Sequence, residues 1–187
     1  MKTRRRFYAL LAAGMLSLPF LAQAADNPTQ APLQAIERLD LERYLGHWHE
    51  IARTPNLFQQ KCASDISADY ALNAGGTLRV TNRCRTVQGE LMEAIGEARR
   101  VGATDSAQLQ VRFAPAWLSW LPWVWGDYWV IDIDPDYQLV AVSEPKRQYL
   151  WVLARQPQVD PSAYQALLLR LQQKGFDIAR LQRPAPR

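Results

Sequence analysis

Gly46-His47-Trp48-His49-Glu50-Ile51-Ala52-Arg53 reads as the opening of an extended segment, and its place relative to two later motifs decides the fold. Asp134-Pro135-Asp136-Tyr137 makes a turn between the sixth and seventh of eight strand-like segments, and Arg155 closes the eighth. Strands of an up-and-down barrel alternate in direction. The start of the first strand, the sixth-to-seventh turn and the end of the eighth therefore share one rim. Gly46, Trp48, Asp136, Tyr137 and Arg155 are placed to close that end and to leave the other open for a ligand.

The segments between these motifs are short, β-rich and separated by turn residues, which is the pattern of an all-β barrel. The expected strands are 46–54, 65–72, 77–85, 89–99, 108–113, 127–133, 137–143 and 148–155. Asn73-Ala74-Gly75-Gly76 supplies hairpin chemistry between the second and third. A single helix follows the strands. Asp160 caps it, Pro161 suits its first turn and Gly175 ends it. Tyr164, Leu167, Leu168 and Leu171 form one apolar stripe, so this helix is expected to lie against the outside of an eight-stranded antiparallel up-and-down β-barrel.

Both ends of the chain read as something other than barrel. Residues 1–24 have a basic head, a short apolar run and an Ala-x-Ala end, the pattern of a cleavable export signal cut near Ala24. Thr3-Arg4-Arg5-Arg6-Phe7 resembles a twin-arginine signal, and the same arginines fit an ordinary secretory one. The segment carries Lys2, Arg4, Arg5 and Arg6 and no acid. Its removal lowers the 22 basic residues to 18 against 18 acidic ones, so the net charge of +4 falls to zero. No basic stripe for nucleic acid remains. Residues 25–38, with Pro28 and Pro32, read as a flexible lead-in, 39–187 as one domain, and 183–187 as a frayed tail.

Cys62 and Cys84 are the only cysteines. An exported chain with an even cysteine count is expected to pair them. If Leu72 faces Thr77 across the hairpin, position 62 comes close to 84–87, and a bulge or small slip would bring the two thiols together at the open rim. Neither cysteine lies at the cleavage point, so the exported protein is expected to be soluble in the periplasm and not lipid-anchored.

The segment Leu39-Asp40-Leu41-Glu42-Arg43-Tyr44-Leu45-Gly46-His47-Trp48-His49-Glu50-Ile51-Ala52-Arg53 resembles the opening motif of bacterial lipocalins and their apolipoprotein D-like relatives. Tyr149-Leu150-Trp151-Val152-Leu153-Ala154-Arg155 resembles their last strand, and Asp136-Tyr137 their middle motif, although Pro135 and the short turn depart from it. His49 stands where Tyr is common. The resemblance implies a calyx that binds a small hydrophobic ligand, a fatty acid or lysophospholipid, in a Gram-negative envelope. It also implies that Trp48 and Arg155 pack together at the closed end, a structural cation–π contact.

Alternation along the strands selects the residues expected to face the calyx: Glu50, Ala52, Tyr70, Asn82, Ala98, Leu109, Val111, Phe113, Tyr128, Val130, Ala141, Tyr149 and Trp151. Such interiors are part filling and part cavity. Glu50 stands out, because a carboxylate there needs a partner; it can orient a ligand head group or brace Tyr128. Between the fifth and sixth strands, at the open rim, Trp117, Trp120, Trp123 and Trp125 fall within nine residues interrupted by prolines. Tryptophan favours a membrane interface. This loop is expected to dip into a bilayer, to fold over its own mouth or to make a contact in a homodimer; a monomer is equally consistent.

Enzyme and metal signatures are thin. His47 and His49 share an outward strand face without a third ligand. Asp132, Asp134 and Asp136 have calcium-like spacing without the rest of that motif. No nucleophile–base pair is legible, and no cofactor is called for. A barrel enzyme of isomerase or de-epoxidase type using Glu50, and an interaction module with a filled core, are the alternatives to a carrier.

Overall fold

Eight extended segments, several of them alternating between inward apolar and outward polar side chains, pair in sequence order into a closed antiparallel barrel. The computed structural model describes residues 31–185. The strands are β1 (Gly46–Arg53), β2 (Ser64–Leu72), β3 (Leu78–Arg85), β4 (Leu91–Arg100), β5 (Gln108–Arg112), β6 (Gly126–Ile133), β7 (Leu139–Ser143) and β8 (Leu150–Ala154). A one-turn helix α1 (Leu41–Tyr44) leads into β1, and α2 (Pro161–Gln173) follows β8. The expected strands and helix are all present, with ends shifted by a residue or two.

The three motifs meet at one end, as their order requires. Trp48 is fully buried and donates its indole N–H to Tyr44 O at 2.8 Å. The Arg155 guanidinium lies 3.9 Å from the centre of the Trp48 ring. Its N–H groups also reach the carbonyls of His47 at 2.8 Å, Arg43 at 2.5 Å and Leu45 at 2.9 Å. One cation thus neutralises the loose carbonyls around the α1–β1 junction. Gly46 sits at φ +91° there, a conformation costly for other residues. The β6–β7 turn is pinned by the Asp134 carboxylate, which accepts from the N–H groups of Asp136, Gln138 and Leu139. The Tyr137 ring receives Arg43 at 4.2 Å, and its hydroxyl accepts from Asp40 N–H at 3.0 Å.

Helix α2 covers one side of the barrel. Asp160 accepts from Ala163 N–H at 2.9 Å, and Gly175, at φ +84°, reverses the chain after the last turn. Phe176 N–H then reaches Leu171 O at 3.0 Å and Gly175 N–H reaches Gln172 O at 2.8 Å, the paired bonds of a Schellman end. Leu167 and Leu171 are fully buried against Ile131, Ala141 and Val152, with Tyr164 and Leu168 beside them. Arg170 holds Asp132 through two bonds of 2.9 Å and 2.8 Å. Asp132 is therefore a helix anchor, and the calcium-like spacing of the aspartates has a structural use.

Both ends of the described chain are better docked than the sequence suggested. Leu33 is buried in the layer beneath α2, and Ile36 N–H bonds Val130 O at 2.9 Å. The part of the lead-in from residue 31 onward is thus packed, since its isolated apolar side chains have barrel surface to cover. Gln182 bridges Arg53 at the end of β1, and Ala185 N–H, within the expected frayed tail, bonds Ala63 O just before β2 at 3.0 Å. The export signal and residues 25–30 lie outside the described residues.

Cys62 and Cys84 are disulfide-bonded, joining the β1–β2 loop to the end of β3. The hairpin register differs by one residue from expectation: Leu72 faces Leu78, because Thr77 belongs to the loop and accepts from Asn73 N–H at 2.8 Å. The bulge needed to align the cysteines lies between Ser64 and Ser67. Closing a segment of 22 residues is worth about 3 kcal/mol in the chain-entropy picture.

Candidate ligand-binding site

The barrel is hollow toward the rim away from Trp48. A cavity of about 1020 Å³ runs from that mouth into the interior, walled mainly by β2–β5 with β6 and β8. Of the residues expected to face it, Glu50, Tyr70, Asn82, Ala98, Leu109, Val111, Phe113, Tyr128, Tyr149 and Trp151 do so. Three do not. Ala52 lies beneath α2 because a bulge in β1 between Glu50 and Ala52 resets the alternation. Ala141 also faces α2; its strand β7 is buried on both faces, so its apolar run carries no parity. Val130 is fully buried in the cluster with Trp48, Val140 and Val142 and does not reach the hollow, just before a second bulge, between Val130 and Asp132 of β6.

Several lining residues had no periodic signal. Tyr44 comes from α1, before the first strand, and Phe58 and Gln59 come from the β1–β2 loop. Ile66, Ala68, Leu78 and Val80 do alternate with Tyr70 and Asn82, and reading β2 and β3 in full would have found them.

Two polar clusters interrupt the apolar wall. Near the mouth, Glu50 is 7 % exposed and has both carboxylate oxygens engaged. Arg53 donates to one in a short ion pair, and Gln59 donates to the other at 2.7 Å. The Gln59 amide oxygen in turn accepts from the Trp151 indole N–H at 2.9 Å and from Asn56 at 2.8 Å. Burial raises the Glu50 pKa, with Arg53 and Gln59 pulling it back. Glu50 does not brace Tyr128, as one sequence reading had it. Deeper in the calyx, the Tyr128 hydroxyl lies 2.6 Å from that of Tyr44 and 2.7 Å from that of Tyr70. Burial raises all three phenols, Tyr70 to about 12.

The loop between β5 and β6 forms part of the mouth. It folds as two short 3-10 turns, Ala116–Leu118 and Pro122–Val124. Trp125 anchors it: its indole N–H bonds Ser119 O at 2.8 Å, and its ring receives Arg99 at 4.0 Å and Arg112 at 5.2 Å. Trp117, Trp120 and Trp123 are 73 %, 76 % and 78 % exposed, and Trp123 also touches the cavity. On the outer wall His47 and His49 stack edge to face at 4.6 Å, with His47 bonded to Asp69 at 2.8 Å. Among the described residues no group of three or more His, Cys, Asp or Glu side chains is set to hold a metal.

Known proteins agree with this architecture. The model of the Lipocalin-like domain matches residues 39–186. The chain belongs to the lipocalin family. Its members generally bind small hydrophobic ligands. This lipocalin is 39 % identical to temperature-induced lipocalin-1 of Arabidopsis thaliana over 151 residues, 80 % of each chain. It is 32 % identical to the outer membrane lipoprotein Blc of Escherichia coli over 177 residues, 94 % of each. Rat apolipoprotein D is 30 % identical over 151 residues, 78 % of this chain and 76 % of its own. Among solved structures, insecticyanin from the tobacco hornworm superposes with a TM-score of 0.64 at 14 % identity, over 83 % of this chain and 85 % of its own.

Proposed function

We propose that this lipocalin binds a small hydrophobic molecule of the fatty-acid or lysophospholipid class, and transports or stores it in the periplasm of a bacterial envelope. The observation that carries the proposal is the calyx itself: about 1020 Å³, mainly apolar and open at one rim. Ligand pockets run from about 300 to 1,000 Å³, so the hollow suits a long-chain molecule. Each buried methylene contributes about 0.8 kcal/mol, enough over a chain to exceed the cost of association. A hollow of this size speaks against the filled-core module. Both Glu50 oxygens are engaged by Arg53 and Gln59, a bracing role at the mouth that favours binding over acid–base chemistry. The relatives named outer membrane lipoproteins support an envelope location.

Loading fits the mouth. Three exposed indoles at the calyx rim suit the bilayer interface, where an apolar ring with one polar N–H is favoured. Peripheral contact there would shorten a lipid's path to the cavity. Native mass spectrometry of protein from its native envelope fraction, followed by lipid extraction, tests the carrier role. One fatty acid or lysophospholipid per chain is expected; an empty protein that also rejects added lipid overturns the role. Replacing Trp120 and Trp123 by Ser should abolish flotation with liposomes, and unchanged flotation would refute the membrane contact.

A further inference from the structure

Deeper than the Glu50–Gln59 cluster at the mouth, three tyrosines converge inside the mainly apolar hollow. Tyr44, Tyr70 and Tyr128 all line the cavity, and their hydroxyls meet with Tyr128 in the centre. Each phenol holds one proton to donate. The two short contacts spend two of the three protons. Tyr44 and Tyr70 interact more weakly, along the long edge of the triangle. The third proton is therefore the best-placed donor for any acceptor atom that reaches this depth.

The charges around the cluster narrow what that acceptor can be. Arg155 lies behind Trp48, on the indole and backbone carbonyls, and Arg100 is bonded to Leu39 O; neither lines the cavity, although the Arg155 charge acts on Tyr44. Arg83 is held by Asp69 and Glu93, and Arg53 by Glu50. Lys146 belongs to the β7–β8 turn, at the open rim. A carboxylate brought to the tyrosines would lose its water without a cation of the cavity wall to pair with, since Arg83 and Lys146 are the wall's cations and Arg83 is already paired. A bare methyl end would leave the third proton with only the long edge, wasting a donor. An uncharged oxygen satisfies it.

Resting on the carrier reading above, we infer that the calyx selects hydrophobic ligands whose buried portion carries an uncharged oxygen acceptor, a keto, hydroxyl or ester group, received by the Tyr44–Tyr128–Tyr70 cluster. A charged head group, where the ligand has one, stays at the rim beside Lys146. The cluster acts as a specificity device in the depth of a mainly apolar pocket, because its phenols stay neutral donors across the physiological pH range.

The test uses delipidated full-length protein and calorimetric titration with hexadecanoic acid and a series of oxo-hexadecanoic acids whose keto group moves along the chain. At least one isomer is expected to bind about 5–10-fold more tightly than the parent acid, the worth of one hydrogen bond. In the triple variant Tyr44→Phe, Tyr70→Phe, Tyr128→Phe the preference should vanish while the parent acid binds at least as well. A wild-type protein that binds the parent acid but favours no oxo isomer overturns this inference and leaves the carrier reading standing. Failure of every acid to bind overturns both. Should the triple variant not fold, the infrared keto stretch of the bound isomer on wild-type protein decides. A shift to lower frequency than in hexane supports the hydrogen bond, and an unshifted band overturns it.

Discussion

Removing one hydroxyl from the tyrosine cluster should cost more stability than removing all three. Tyr128 is the centre, so Tyr128→Phe breaks both short hydrogen bonds and strands the hydroxyls of Tyr44 and Tyr70 in a largely apolar setting. At about 1 kcal/mol per bond, with some relief from the weaker Tyr44–Tyr70 contact and from cavity water, the loss should be about 2 kcal/mol. The triple phenylalanine variant removes donors and acceptors together and keeps every ring. Replacing all partners by apolar groups of the same shape is nearly neutral, so it should lose under about 1 kcal/mol. Urea unfolding of the oxidised proteins at 25 °C, with equal slopes, reads both values. The two effects should be strongly non-additive, as expected for groups in one network. A triple variant less stable than Tyr128→Phe would refute the reasoning and would mean that each hydroxyl has a separate partner.

The same cluster predicts an alkaline transition. Its folded phenols ionise above the ordinary value of 10, Tyr70 near 12, so the unfolded chain releases protons first and stability falls as pH rises across that window. The triple phenylalanine variant should lack most of this fall when unfolding is followed from pH 9 to 12. Glu50 has the same sign at lower pH: its folded value is raised above 4.5, so its contribution to stability is lost as pH climbs through the raised value. The stability of wild type relative to Glu50→Gln should fall from pH 4 to 7, and a relative stability that rises would contradict the burial argument. Arg155→Ala removes the guanidinium from Trp48 and from the closed-end carbonyls, and should cost about 3 kcal/mol with Arg155→Lys recovering only part. Equal stability of the Ala and Lys variants in denaturant melts would show that the planar fork does not matter.

The barrel was legible because its punctuation is local. Asn73–Gly76 and Asp134–Tyr137 turn the chain by their own chemistry, and Asp160, Pro161 and Gly175 bound α2 without help from distant contacts. Calyx residues were legible wherever one strand face meets the hollow and the other meets water, as at Leu109 and Val111 of β5. They were not legible where α2 makes both faces dry. Ala141 and Val140 look alike in sequence, yet one touches the helix and the other the barrel interior. The bulge that turns Ala52 outward has no glycine to announce it. Tyr44 and Gln59 reach the cavity from a helical turn and a loop, so no strand period points to them.

The helix-covered wall and the hollow lie on largely different strands. Below α2, the outer faces of β1 and β6–β8 form an apolar slab with Leu167 and Leu171. Opposite it, β2–β5 and the mouth loops enclose empty space. Changes in ligand preference can therefore accumulate on the hollow side while the slab supplies the stability that tolerates them. Such a scaffold can drift between cargoes without unfolding on the way. A library that randomises cavity positions on β2–β5 should retain far more folded members than one of equal size directed at β7.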